Sequence, residues 1–467
     1  MKAIDLGSKK VLFTVFKLTL PAMLAQFISV LYSIVDRMYV GNIAVIGKDV
    51  LAGVGVCAPV STLINSFAFL IGLGGAPLFA MSLGEGKQEN AKKILSNALA
   101  ALAVLAVAVA AAAIAFRRPL LMTFGASDRT YIYAERYLTV CAAGAVFPII
   151  ATGLNQYIIA QGYAGIGMAT TAIGAAANIA LDPLFIFVFD MDAQGAAIAT
   201  VLSQFLSFVF VLTFLRLKNT KIRLVIRKPS AKIVGRIVKL GISPFLIIAT
   251  DSVIVIVANA MLKKYGGADG DMWITVSTIV QAFFSIVTMP LLGISTGSQP
   301  VLSYNYGAKN IALIKKAEKI ILSMCLVFTS VMFAISFPAA RPFVSLFTAD
   351  TQIAQKSVWG IRVFMIGTIP LSFQYAFVDG LTALGQPQYS IVLSFARKVV
   401  VYLGCTVLLP VFFGVQSVFY AEPVCDIFSS LLSTAVFLIV FPKVLRKRLS
   451  AQKDLLPTDA SAPSENT

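Results

Sequence analysis

Asn178 and Asp182 stand four residues apart, and Pro183 follows directly. In a helix that spacing puts both side chains on one face. Proline cannot donate a hydrogen bond to the carbonyl of Ile179, which is left free in the same turn. A carboxylate, an amide oxygen and a loose carbonyl together suit a proton or a hard cation such as Na+. Tyr32 and Asp36 repeat the spacing of four, and so do Tyr375 and Asp379. Thr200 and Asn155 add uncharged oxygen ligands within apolar surroundings. Asp251, Glu422 and Asp426 are further acids in apolar runs, beside the bases Arg397 and Lys398.

Other chemistries are excluded by what is missing. The chain has no histidine, so a Ser-His-Asp triad, a His-ligated metal or a histidine proton switch cannot be built. Its five cysteines are scattered with no CxxC spacing, which speaks against a zinc site or a disulfide framework. No GxxxxGK[ST] loop is present to hold a nucleotide. A proton carrier must therefore be a carboxylate, a tyrosine, a lysine or a cysteine.

The elements that position these residues follow from composition. The 467 residues are 58% hydrophobic and only 13% charged, with a mean hydropathy of +0.87. An ordinary soluble domain carries about 25% charged residues, so the solvent must be a bilayer. Apolar runs fall at 11–40, 50–83, 91–116, 131–160, 164–189 and 193–215. A second set falls at 233–262, 273–306, 311–338, 353–384, 388–413 and 418–442. Each exceeds the roughly 20 residues a membrane helix needs, which predicts twelve spans in an all-α membrane protein. The second run of each half is long enough for a helix of about 50 Å, so it must tilt, bend or project. Pro59, Pro77, Pro290 and Pro300 supply bend points.

Six acids are read as lying within spans: Asp36, Asp182, Asp251, Asp379, Glu422 and Asp426. Each costs at least about 2.5 kcal/mol at the membrane centre, so a functional role or an acid–base pair must offset it. The net charge of +17 collects in gaps between runs. With both ends inside, the cytosolic segments carry 25 Lys and Arg and the outer segments 10. That bias predicts N-in, C-in topology. It also removes the need for a nucleic-acid partner, since the basic gaps need only face an anionic leaflet.

The two halves echo each other at an offset of 221–223 residues. Lys17 and Pro21 recur as Lys239 and Pro244, Gly72 and Gly86 as Gly293 and Gly307. Gly144 and Pro148 recur as Gly367 and Pro370, and Ala199 as Ala421. An offset of six spans keeps orientation, so the repeats are parallel and related by an axis along the membrane normal. The expected organisation is an N-terminal six-helix lobe at 1–215, a basic cytosolic connector at 216–232, a C-terminal lobe at 233–445 and a disordered tail at 446–467.

These residues resemble the MATE (multidrug and toxic compound extrusion) transporters over about residues 10–445. Leu20-Pro21 and Tyr32-Ser-Ile-Val-Asp36-Arg-Met-Tyr-Val-Gly41 carry the likeness in the first span. Ala52-Gly-Val-Gly55 and Gly72-Leu-Gly-Gly75 continue it in the second. Asn178-Ile-Ala-Leu-Asp182-Pro183 and Gly195-Ala-Ala-Ile-Ala-Thr200 follow, with Gln299-Pro300 and Asn305-Tyr306-Gly307 in the second half. The pattern looks most like the prokaryotic branch with acids in the N-terminal half. The resemblance implies two six-helix lobes around a V-shaped cleft. It implies export of amphipathic, mostly cationic drugs by antiport against H+ or Na+. It places an ion site at Tyr32, Asp36, Asn178, Asp182, Thr200 and Asn155, with Na+ held at Asp36, Asn178 and Asp182 if Na+ is the ion.

The expectation is therefore a transporter, not an enzyme, without a cofactor, in a prokaryotic plasma membrane. Its partners are small drugs and membrane lipid, and a monomer is expected. Asp251, Asp379, Tyr375, Gln281 and Arg397 are candidates for the substrate cavity. A lipid-linked oligosaccharide flippase is the alternative within transport. That polyanion would call for a base-rich cavity, whereas the spans hold six acids against three bases, Arg37, Arg397 and Lys398. A membrane-embedded transferase is the remote alternative.

Overall fold

A computed structural model of the chain describes residues 3–41, 43, 47–126, 128–217, 220–348 and 350–453. Lys2, Lys218 and residues 454–467 of the expected tail lie outside them, as does the side chain of Arg37. The N-terminal lobe holds α1 (Val11–Gly41), α2 (Gly47–Gly84), α3 (Gln88–Ala115), α4 (Arg117–Thr123), α5 (Asp128–Ala143), α6 (Val146–Ala160), α7 (Ala164–Pro183) and α8 (Asp192–Arg216). The C-terminal lobe holds α9 (Ala231–Gly266), α10 (Gly270–Gly307), α11 (Ile311–Ser345), α12 (Thr351–Met365), α13 (Thr368–Ala383), α14 (Pro387–Phe395), α15 (Gly404–Phe413) and α16 (Ala421–Lys453). Widened π turns at Leu184–Val188 and Ala396–Leu403 continue α7 and α14.

Two expected spans are each broken in the same place. The 131–160 run divides into α5 and α6 with a 52° bend, and the 353–384 run into α12 and α13 with a 45° bend. Pro148 and Pro370 sit at the third position of α6 and α13. There a missing N–H is harmless, because the first turn has no intrahelical acceptor for it. Gly144 and Gly367 stand at the bends, pressed against the last helix of their own lobes. A Cβ on Gly144 would lie 2.5 Å from Val201, and one on Gly367 2.9 Å from the backbone of Pro423. Val201 and Pro423 are themselves one repeat apart. With each bent pair taken as one span and α9 and α10 counted separately, the apolar helices among the described residues number twelve.

The lobes meet through α1 and α2 on one side and α9 and α10 on the other. Glycines let the backbones touch. A Cβ on Gly241 would fall 1.7 Å from the carbonyl oxygen of Leu70, and one on Gly74 2.3 Å from that of Ile237. At α1, Gly293 would press on the backbone of Ala22 and Met23 at 2.7 Å. These approaches seal the half of the interface nearer the chain ends, reaching as far as the Ser252 hydroxyl bonded to the Pro59 carbonyl (2.8 Å). At Gly55, farther along α2, a Cβ would meet nothing within 4 Å.

The segment before α1 straps the two lobes together. Ile4 N donates to the carbonyl of Gly162 (3.0 Å) in the N-terminal lobe, and Asn305 Nδ2 of the C-terminal lobe donates to the carbonyl of Leu6 (2.9 Å). The basic connector is docked and extended rather than loose. Ile222 is buried and its N–H donates to Gln161 Oε1 (2.9 Å). Arg227 N and Ser230 N donate to Ser96 Oγ (2.8 Å) and Asn97 Oδ1 (2.5 Å) on α3. The expected tail is corrected at its start: residues 446–453 continue α16 as helix. Arg448 anchors that turn against α10, which a polar tail read from composition alone could not reveal.

Candidate functional site

α1 packs along α7, and α7 along α8, which brings three of the expected side-chain groups to one place. Asp182 is fully buried (0% exposed) and Asn178 nearly so (1%). Asn178 Nδ2 donates to Asp182 Oδ1 (3.1 Å) and reaches Thr200 Oγ1 on α8 (3.4 Å). The Asp36 carboxyl of α1 lies against that of Asp182, and Tyr32 lies beside both acids. Ionised carboxylates only accept hydrogen bonds, so the contact between Asp36 and Asp182 needs a proton or a cation between them. Asn178 Oδ1 and Asp182 Oδ2 are buried and receive no protein donor. Buried oxygens without donors are costly, and a hard cation or a proton is the species this donor set fits.

Local structure favours the site. Pro183 ends α7, and the chain passes into the π turn at Leu184–Val188. Such widened turns occur where regular hydrogen bonding is given up for a site. Phe187 of that turn packs edge-on against Tyr39 at the far end of α1 (6.4 Å), so the α1 and α7 ends are held together.

Asn155 does not join this group. Its Nδ2 donates to the carbonyl of Gly167 (3.2 Å), eleven residues before Asn178, or about 16 Å along α7. Tyr137 of α5 does join it, lying beside Thr200 and Cys141. Sequence reasoning passed over Tyr137, because an uncharged tyrosine near the start of an apolar run carries no cost that calls for explanation.

The candidate cavity residues of the C-terminal lobe fall into separate groups. Arg397 is buried (3% exposed). Its Nη2 donates to Asp426 Oδ1 (3.0 Å) and lies 3.7 Å from Glu422. Its guanidinium stands over the Tyr375 ring at 5.7 Å. Lys398 pairs with Asp251, which is partly exposed. Three acids and two bases thus form one cluster on the π turn, and the bases are spoken for. Asp379 stands elsewhere, accepting a hydrogen bond from Ser295 of α10, with Gln299 beside it. Gln281 bonds Ser277 one turn away on its own helix (3.2 Å), about 21 Å along α10 from Ser295.

Glu318 adds a seventh acid within a span. It is buried beside Asp379, both its oxygens lack a donor, and a Cβ on Gly380 would lie 2.9 Å from Oε1. In sequence it hides among the exposed Lys315, Lys316 and Lys319, while it shares the buried stripe of Ile314, Ala317 and Ile321. Helical period applied to that basic stretch would have set it apart.

Comparison with known proteins agrees with this architecture. The MatE family profile matches twice, over residues 21–184 and 245–407, which reproduces the repeat. The multidrug export protein MepA of Staphylococcus haemolyticus (strain JCSC1435) is 26% identical over 444 residues, covering 93% of this chain and 94% of the relative. MepA of Staphylococcus aureus (strain MRSA252) is 25% identical over 439 residues, covering 92% and 93%. Among solved structures, an outward-facing conformation of a multidrug resistance MATE family transporter superposes with a TM-score of 0.86 at 22% identity, covering 97% and 99%. A MOP superfamily transporter from Pyrococcus furiosus, described as having a binding pocket of reverse polarity, superposes with a TM-score of 0.87 at 22% identity over the same shares. With most of its length matched by the profile and two six-helix lobes in place, the chain belongs to the MatE family of multi-pass membrane transporters.

Proposed function

We propose that this protein is a secondary active exporter of small amphipathic, mostly cationic drugs, driven by antiport of H+ or Na+. The observation that carries the reading is the Asp36–Asp182 contact, closed off by Asn178 and Thr200. A proton or Na+ there joins α1 to α7. When the ion leaves, two close carboxylates repel, and α1 can shift or bend at Pro21. A cationic drug and the ion then compete for the same negative charge. Alternating access follows if the lobes, at about 1–215 and 233–445, rock about their glycine contacts. The chain ends and the basic connector face the cytosol of a prokaryotic cell, where their charge suits the leaflet.

One proton moving through about 100 mV yields about 2.3 kcal/mol, and one pH unit adds about 1.4 kcal/mol. Together they sustain a gradient of several hundred-fold in a neutral substrate. A polyanion flippase fits less well, because Arg397 and Lys398 are already engaged by Asp426, Glu422 and Asp251. The test is drug efflux from proteoliposomes under a pH gradient alone, then under a Na+ gradient alone. Efflux under at least one of them is expected. Efflux under neither, with intact protein, refutes antiport.

A further inference from the structure

α2 and α10 end side by side at the sealed face, with bare backbone between them. A Cβ on Gly84 would lie 1.9 Å from the carbonyl oxygen of Tyr304, and one on Gly307 2.1 Å from that of Met81. Next to this crossing, Arg448 of α16 reaches from the C-terminal lobe into the N-terminal lobe. Its Nη2 donates to Glu85 Oε1 (2.6 Å), one residue past the end of α2. Its Nε and Nη2 also donate to the carbonyls of Tyr306 (3.1 Å) and Gly307 (3.2 Å), the last residues of α10. The guanidinium rests over the Tyr306 ring at 5.0 Å. Both partners are partly shielded, with side chains 23% and 26% exposed.

We infer that Glu85 and Arg448 form a releasable clasp that holds the lobes shut at the face carrying the chain ends. What makes it releasable is that neither charge is stranded when the lobes part. Glu85 also pairs with Lys87 of its own lobe (3.0 Å). Arg448 keeps the two carbonyls at the C-terminus of α10, where the helix dipole favours a cation. Each group exchanges one partner for water while retaining another, so the clasp biases the equilibrium without locking it. The glycine crossing beside it sets the geometry, since any side chain there would hold Glu85 and Arg448 apart. α16 is thereby given a second task at its far end. It spans the bilayer, and its last turns report on and restrain the state of the opposite lobe.

This rests on the alternating-access reading above, and the test separates the two. Full-length protein in nanodiscs carries spin labels at Gln88→Cys and Lys316→Cys, both exposed and on opposite lobes. Distances are measured by pulsed electron resonance at low and high pH, with and without Na+. Arg448→Ala and Glu85→Ala should each lower the ratio of the short to the long distance by about fivefold, as expected of a partly shielded ion pair. The double variant should be no worse than either single. Lys87→Ala, which removes the competing partner, should shift the ratio the other way. A wild-type protein whose distance never changes would overturn the alternating-access reading. A wild type that moves, with Arg448→Ala unchanged or the two single effects additive, would overturn the clasp alone.

Discussion

Gly241→Ala puts the glycine seal to a direct trial. The added methyl would sit 1.7 Å from the Leu70 carbonyl oxygen and 2.6 Å from its carbon. Real Cβ atoms stay beyond 3.0 Å, so α9 and α2 must part by at least the difference of 1.3 Å. The contact is backbone to methyl, so no side-chain rotamer can relieve it. Overpacking of this kind costs about 1–3 kcal/mol, and each 1.4 kcal/mol is about tenfold in population. The penalty falls only on the state in which the lobes touch. The gain in helix propensity on replacing glycine, up to about 1 kcal/mol, is common to both states and cancels. The sealed state should therefore lose between about fivefold and a hundredfold to the state open at the chain ends. The distance assay with labels at positions 88 and 316 reads this directly, with Cys141 and Cys405, the two native cysteines that are not fully buried, replaced by alanine. Gly235→Ala is the control on the same helix, since a Cβ there meets nothing within 4 Å, and it should leave the distances alone. A Gly241→Ala protein with wild-type distances and wild-type transport would refute the idea that these backbone contacts close the face.

Three further outcomes follow from the same geometry. Asp182→Asn should abolish ion-driven accumulation in proteoliposomes while changing folding stability by about 1 kcal/mol or less, because Asn178 Nδ2 keeps an oxygen acceptor; drug resistance at normal expression would contradict it. Affinity for a cationic fluorescent drug should rise from pH 5 to 9, because a cation bound to the deprotonated pair and the proton weaken each other by the same factor, and Asp36→Asn should flatten that rise; an unchanged profile would point away from the N-terminal lobe. The clasp should behave differently. Partial burial pushes the Glu85 carboxyl up, but the hydrogen bonds from Arg448 and Lys87 outweigh it and hold it below the usual range. A depressed carboxyl contributes above its unfolded value and is lost only as pH falls through its folded value. The effect of Arg448→Ala on the lobe distances should thus be equal at pH 6 and pH 9 and fade only below about pH 4; a clasp that weakens near neutrality would be refuted as a charge pair.

What could be read from the sequence was what a single helix or a repeat enforces. Twelve spans, the parallel halves and the pairing of Asn178 with Asp182 needed only local period, length and offset, and each is present. What could not be read was contact between helices far apart in the chain. The resemblance groups Asn155 with the acids, but its Nδ2 is held by the Gly167 carbonyl, a choice that depends on how α6 leans on α7. Tyr137 enters because α5 breaks at Gly144 and lies against α8, and nothing in an apolar stretch announces a hydroxyl aimed at Thr200. Glu318 is the opposite case: helical period sets it on the buried stripe of Ile314, Ala317 and Ile321, but charge counting sees only its exposed neighbours Lys315, Lys316 and Lys319. Arg448 is the sharpest instance. By composition it is one more cytosolic base counted toward orientation, and by position it is the one whose guanidinium crosses to the other lobe. The positive-inside bias and the clasp need the same residue type at the same membrane face, so charge counting alone is blind to the second role. Distinguishing them takes the partner. A base serving only orientation needs the leaflet, whereas Arg448 is held by two helix-end carbonyls of its own lobe and by a carboxylate of the opposite one.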